Sequence, residues 1–410
     1  MRKSSSKFSL LVIALILFAC QPPKTPEPVS PTAELTASLP AAPTLTQAAP
    51  TSTPLPTSSP TPIPLRIEAT VWEADPVIPI LNYHRFTPNA YDPTSGMVRF
   101  LGDLKLDLQS YYDAGYSLIS LDDLLTGNIK VPTGRRPLIL TIDDAYFANQ
   151  FFLNDQGDVS EYSAVGTIYK FSQEHPDFGF EIAMFANFGD KHFGKLFTGS
   201  RWYDAEGWEE TLAQTIAWGI EHHVYPYNHT FRHAHLDHIA HELIQPQLAL
   251  NDQRLREYLT LAGCPEDARL ISNYIALPYG SYPSTEKGMQ QLTAYLNPEG
   301  KPVRAVFGAG YEYRPAFASP PFTAGFDPLH IPRMAAIPSV INLITHVATT
   351  FPIAESCALT LPAGKADPQS ISAAIQEAIA NGTCPEGAYI LDEGIFLAQG
   401  GAVSSYSSGF

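Results

Sequence analysis

The chain has 410 residues, 45% hydrophobic and 16% charged, with 41 Asp and Glu against 25 Lys and Arg and a formal net charge of −16 at pH 7. That apolar share is enough for a sizeable core and excludes a wholly disordered chain. The acidic excess argues against nucleic acid as a partner and against holding anionic polymers by bulk charge, while neutral glycans remain compatible with it.

Arg2, Lys3 and Lys7 precede an apolar stretch from Phe8 to Ala19, too short for an ordinary membrane span. Leu17-Phe18-Ala19-Cys20 resembles a bacterial lipobox, which implies cleavage before Cys20 and a lipid on its sulfur; the alternative is a plain secretory signal. Either way residues 1–20 read as a leader and the protein as exported. Its removal takes away three cations and moves the net charge from −16 to −19. Residues 21–66 are rich in Pro, Thr, Ser and Ala, with only Lys24, Glu27, Glu34 and Arg66 charged. Such a segment cannot bury enough apolar surface to offset its ordering entropy, and its prolines favour extended geometry. It reads as a semi-stiff tether. About 344 residues remain beyond it, more than a typical domain but suited to one barrel with an appendage.

Strand-like and helix-like patterns then alternate. Val77 to Leu81 reads as a strand. Leu101, Leu104, Leu108, Tyr111 and Tyr112 mark a helix between Phe100 and Gly115. Strands are expected at 116–119 and at 138–142, where Leu138-Ile139-Leu140-Thr141-Ile142 runs into Asp143-Asp144. After an aromatic-rich insertion over 147–180 come a strand at 181–185, a helix at 206–219, and strands beginning at 224, 273 and 304. This alternation predicts an α/β fold with a parallel core, a barrel by its length. With Cys20 in the leader, Cys264, Cys357 and Cys384 remain. Cys357 and Cys384 flank one small C-terminal segment and are expected to pair, leaving one free thiol. Between them, 370–380 has the pattern of an amphipathic helix.

Three motifs bear chemistry. Asp143 and Asp144 close an apolar strand, at the end where barrel enzymes place their sites. A packed core would not keep two adjacent carboxylates without a cation or a proton to offset them. On a regular strand the two would face opposite ways, so the backbone must leave strand geometry there. His229 and His233 are four apart and share a face if the turn between them is helical; with one carboxylate they make a three-ligand zinc set. Thr230 stands where a metalloprotease carries its Glu. Pro278-Tyr279-Gly280 makes a stiff turn whose Tyr279 N–H suits an oxyanion donor.

In this order, Thr141-Ile142-Asp143-Asp144, His229-Thr230-Phe231-Arg232-His233 and Pro278-Tyr279-Gly280 resemble the polysaccharide deacetylases that share the NodB homology domain, carbohydrate esterase family 4. Pro79 to Arg85, with its Tyr83-His84 pair, resembles the opening segment of many exported members, and Gly115 to Leu121 also fits. The resemblance implies a distorted (β/α) barrel of the NodB-homology type over 76–350, with 355–410 as a small C-terminal appendage. It also implies roles. Asp144, His229 and His233 hold a divalent metal, usually zinc. Asp143 is the base that deprotonates the attacking water, and the Tyr279 N–H stabilises the oxyanion. A histidine protonates the leaving amine; His84 is assigned this role, with His330 and His346 as alternatives. The implied substrate is an N-acetylated glycan, and the implied membrane contact is the lipid on Cys20. The alternatives are an O-acetyl esterase and an inactive glycan-binding domain of the same fold. The sequence departs from the family in lacking the arginine that many members carry just before the Pro-Tyr-Gly turn, where it orients the base; Ala276 and Leu277 stand there.

Overall fold

The computed structural model describes residues 64–73, 76–89, 97–147, 149–189, 207–309, 316–347, 352–362 and 366–407. The leader at 1–20, Cys20 and the tether as far as residue 63 lie outside the described residues.

The strands are β1 (Leu65–Trp72), β2 (Ile80–Tyr83), β3 (Arg85–Thr87), β4 (Val98–Phe100), β5 (Tyr116–Leu118), β6 (Arg136–Ala145), β7 (Ile182–Ala186), β8 (Val224–Asn228), β9 (Tyr274–Ala276), β10 (Ala305–Phe307), β11 (Met334–Ala335), β12 (Glu355–Leu361), β13 (Gly387–Leu391), β14 (Gly394–Gln399) and β15 (Ala402–Tyr406). The helices used below are α1 (Leu101–Asp113), α2 (Leu121–Thr126), α3 (Ala164–Glu174), α4 (Trp208–Glu221), α5 (Ile244–Ala262), α6 (Glu286–Thr293), α7 (Pro338–Asn342) and α8 (Pro368–Ala380).

The main sheet runs β10-β9-β8-β7-β6-β2-β11, with β5 paired to the start of β6. Its pairings are parallel throughout. Helices cover the outside, so the central strands are buried on both faces and read as apolar runs rather than alternations. From Pro137 to Ala145 every residue of β6 is buried. The sheet curls on itself. Ile331 bridges Phe307 of β10, and three residues later Met334 pairs with Leu81 of β2. One short segment thus touches both edges and makes the architecture a distorted (β/α) barrel, as expected. Local signals set the helix ends. Ser120 and Asp123 form a reciprocal capping box on α2, and Gly127 ends that helix at φ 77°. Ser163 and Thr285 cap α3 and α6.

The second unit is an antiparallel sheet, β12-β1-β13-β14-β15, covered by α8. Asp367 caps α8 with Pro368 behind it. Cys357 and Cys384 are disulfide-bonded, with Cα atoms 5.8 Å apart, and Cys264 is buried outside that bridge. The expected boundaries shift here. Residues 355–410 do not supply this sheet alone, because β1 lies inside it, paired to β12 from Leu65 to Val71 and to β13 from Thr70 to Trp72. The tether expected to reach 66 gives way to strand at Leu65. The reason is the alternation of β12, whose buried Cys357, Leu359 and Leu361 share a core with Ala69 and Val71. Trp72 anchors the two units together: its side chain packs in the barrel core and its indole N–H donates to the Ile129 carbonyl at 2.9 Å.

Candidate active site

At the C-terminal end of β6 the ladder to β7 shifts register between Ile142 and Ala145, and Asp144 takes a left-handed φ of 54°. The departure from strand geometry that two cooperating acids require is therefore present. Both side chains are buried. Four residues with left-handed φ gather around this point: Asp144, Thr230 (59°), His233 (51°) and Tyr279 (59°). Such conformations cost non-glycine residues of order 1–3 kcal/mol each and persist only where the surroundings over-determine them.

The two acids have different partners. Asp143 receives a two-pronged guanidinium from Arg333, with Nη1 at 2.6 Å from Oδ1 and Nη2 at 2.9 Å from Oδ2, and Asn82 Nδ2 donates to Oδ2 at 3.1 Å. Arg333 is itself fully buried, and its Nε donates to the Gly308 carbonyl at 3.0 Å. Burial alone would raise the Asp143 carboxyl, but Arg333 and then His229 outweigh it and hold the group well below the usual carboxylate range. Asp143 is ionised at neutral pH. Asp144 turns Oδ2 to Arg85 Nη2 at 3.0 Å. Its Oδ1 accepts from Asn187 Nδ2 at 3.2 Å and lies 3.2 Å from His233 Nε2 and 3.9 Å from His229 Nε2. Phe147 lies under the Arg85 guanidinium, 3.4 Å from ring centroid to Cζ.

The histidine motif is not helical, so its two histidines meet by a route other than the helical turn. Thr230 and His233 turn left-handed, and the loop is pinned from outside. The N–H groups of Phe231 and Arg232 donate to the Gln247 main-chain and side-chain oxygens, both at 2.9 Å. The Thr230 hydroxyl accepts from the Ala234 N–H at 2.9 Å. Thr230, at the position a protease would give to its base, is a loop brace. His229 Nδ1 lies 2.9 Å from the Ala276 carbonyl, which can only accept, so Nδ1 carries the proton and Nε2 presents its lone pair to the site. Burial, then His229, push His233 down to about 4, so it is neutral at pH 7.

The ligand atoms of Asp144, His229 and His233 lie within 4.8 Å of one another. Donors about 2.0–2.1 Å from a tetrahedral zinc stand roughly 3.3 Å apart, and this carboxylate-plus-two-imidazole set suits such an ion. The second oxygen of Asp144 is occupied by Arg85, which favours single-oxygen ligation through Oδ1.

The remaining expected residues are placed as follows. His84 is drawn into the site: its Nδ1 is buried with no hydrogen-bond partner among the described residues, and Asp143, Asp144, Arg333 and His229 all act on its charge. Burial lowers it from the ordinary imidazole value, against the pull of the two acids. Tyr279 forms a wall, its ring against His233 at 4.5 Å and stacked on His235 at 3.5 Å. The next residue has to be Gly280, because a Cβ there would meet the backbone of Ala309 at 2.8 Å. His330 is exposed, bonded to Asp327 at 2.8 Å and stacked on Tyr282. His346 is not brought to the acids. It is exposed beside Ile344, whose carbonyl accepts from Tyr116, and Tyr116 pairs with Arg136 at the opposite end of β6.

Sequence reasoning missed Arg333, Arg85, Asn82 and Asn187. The missing arginine before Pro278 was the available signal, since a buried Asp143 needs a cation from somewhere. Arg333, far along the chain, provides it.

Comparison with protein-family models and with curated proteins finds no match. Among solved structures, the chain is similar to the Streptococcus pyogenes deacetylase PplD in complex with acetate, at 17% identity over 66% of this chain and 98% of that one, TM-score 0.43. It is also similar to BC0361, a polysaccharide deacetylase from Bacillus cereus, at 14% identity over 66% and 69%, TM-score 0.42. A third is a de-N-acetylase from Aggregatibacter actinomycetemcomitans, at 12% identity over 64% and 95%, TM-score 0.40.

Proposed function

We propose that this chain is an exported, metal-dependent polysaccharide deacetylase that hydrolyses N-acetyl groups on a cell-surface or extracellular glycan. It is held at the outer side of a bacterial membrane by a lipid on Cys20. The observation that carries the reading is the division of labour between two adjacent buried acids: Asp143 gripped by Arg333, Asp144 turned toward His229 and His233.

Asp144, His229 and His233 would hold the ion, with zinc the best fit to two imidazoles and a carboxylate. A divalent ion held there would supply an acidified water and polarise the acyl oxygen. Asp143, ionised and fixed by two parallel hydrogen bonds, is oriented to take the proton of the attacking water. The Tyr279 N–H, on its left-handed turn, is assigned to the developing oxyanion. His84, neutral before reaction, is assigned to pass to the leaving amine the proton that Asp143 takes from the attacking water, which restores both groups as the carbon–nitrogen bond breaks.

Acetate release from acetylated chitooligosaccharide, peptidoglycan and xylan, measured beside metal content, tests the assignment. Asp144→Ala is expected to lose one equivalent of metal and activity together. Asp143→Asn and His84→Ala are expected to keep metal and lose activity by about a hundredfold or more. A wild type that holds metal and is inert on every acetylated glycan overturns the proposed reaction. Release from xylan alone transfers the reading to an O-acetyl esterase.

A further inference from the structure

Beyond the ion proposed for catalysis, we propose that His235, Asp237 and His238 form a second divalent-cation site on the loop that follows the histidine motif. The three offer ligand atoms within 4.8 Å of one another and share no residue with the first set. The turn from His235 to His238, closed by the His238 N–H to the His235 carbonyl at 3.1 Å, brings the two imidazoles side by side, 4.8 Å apart and 22° from parallel. Asp237 sits between them. Its Oδ1 is 3.6 Å from His235 Nδ1 and its Oδ2 is 3.4 Å from His238 Nε2. These separations approach the roughly 3.3 Å edges of a tetrahedral zinc shell.

A second observation points to a ligand. Asp237 Oδ1 is shielded from solvent and has no hydrogen-bond partner among the described residues, although the side chain as a whole is 29% exposed. An acceptor oxygen stripped of water without a donor is costly, and a bound cation removes that cost. Two nitrogens and one carboxylate select a borderline ion such as Zn2+, Ni2+ or Co2+ over Ca2+ or Mg2+. Ser281 Oγ, 3.5 Å from His235 Nδ1, stands at the edge of the same space.

The site has a structural consequence. The His235 ring lies flat on Tyr279, 3.5 Å between centroids and 5° from parallel, and Tyr279 in turn meets His233. A cation on His235 fixes the plane of that ring and with it the Pro278–Gly280 turn that walls the first site.

The test counts metal and uses no activity assay, so it stands or falls separately from the proposed deacetylation. Full-length protein is equilibrated with buffered low-micromolar Zn2+, desalted and analysed by mass spectrometry for zinc per chain. His238 is largely exposed, so His238→Ala removes little beyond its ring contact with His235. It is expected to hold one equivalent fewer than the wild type, as is Asp237→Asn. In the Asp144→Ala background, His238→Ala is expected to remove the equivalent that remains. Equal zinc content in wild type and His238→Ala overturns the proposal. Co2+ reconstitution gives an independent reading: His238→Ala should remove one set of visible absorption bands, and unchanged spectra also overturn it.

Discussion

At Asp143, burial that would raise the carboxyl meets a guanidinium that lowers it, and the guanidinium wins. The pair is closed from water on both sides, with Arg333 fully buried and the Asp143 side chain 3% exposed. Removing one partner of such a pair leaves a charge with neither solvent nor counter-ion. Arg333→Met is therefore expected to cost about 3–5 kcal/mol in denaturant unfolding at neutral pH. It should also lower kcat/KM by on the order of a hundredfold, since the base is then both misoriented and driven toward its protonated form. Arg333→Lys keeps the charge but not the fork, and should recover stability more than activity. Equal loss of both in the Lys variant would mean that Arg333 supports the core and does not orient the base. Arg85 acts on the neighbouring acid, and its side chain is as well shielded, at 7% exposure.

The elements that carry the ligands are tied down by residues outside the motifs. Asn228, at the end of β8, donates from Nδ2 to the Leu248 carbonyl and to Asp252 Oδ1 of α5, and accepts from the Thr230 N–H. Asn251 of the same helix bonds to Ala186 and Phe188 at the end of β7. Helix α5 is thus the rear support of the site. Burial pushes the Asp252 carboxyl up to about 6, although Tyr295 and Asn228 donate to it. A carboxyl whose folded pKa exceeds its unfolded one takes up a proton on folding, so its contribution is most favourable below the unfolded value. It worsens as pH rises toward about 6. The stability difference between wild type and Asp252→Asn should therefore shift against the wild type as pH rises from roughly 4 to 6 and be flat above that. Thermal unfolding across that range checks it, and a pH-independent difference would show that Asp252 folds ionised.

On the scale of the whole molecule, the second sheet is assembled from both ends of the described chain. β1 lies between β12 and β13, and Cys357–Cys384 closes a loop of 27 residues in sequence separation. The chain-entropy argument gives such a bridge about 2–4 kcal/mol. Cys357→Ala with Cys384→Ala should lower the stability of the second unit by that amount and leave the barrel's metal content unchanged. Deleting 64–73 should do more harm than removing the disulfide, because it leaves two strand edges open and withdraws Trp72 from the barrel core. Size-exclusion chromatography distinguishes the outcomes: the disulfide variant should stay monodisperse and the deletion should associate.

The periodic patterns of the chain placed the strands of the parallel core and the helices over 100–115, 206–219 and 370–380, because hydrophobic spacing is a local property. The helices at Leu121–Thr126, Ala164–Glu174 and Glu286–Thr293 were not read from the pattern, although the caps Ser120, Ser163 and Thr285 that begin them are local signals. The resemblance carried by the ordered motifs singled out Asp144, His229 and His233, whose ligand atoms the fold gathers within 4.8 Å. Three things were decided only in three dimensions. The turn at 229–233 is left-handed because Gln247, on another element, receives its N–H groups. The strand β1 belongs to the C-terminal sheet because a partner nearly 290 residues away carries the matching alternation, as in Thr70 opposite Ser356. The cation on Asp143 is Arg333, 190 residues distant in sequence, because curling the sheet brings the segment after Ile331 back to β2. No local pattern encodes which distant side chain will meet a buried charge; closure of the barrel does.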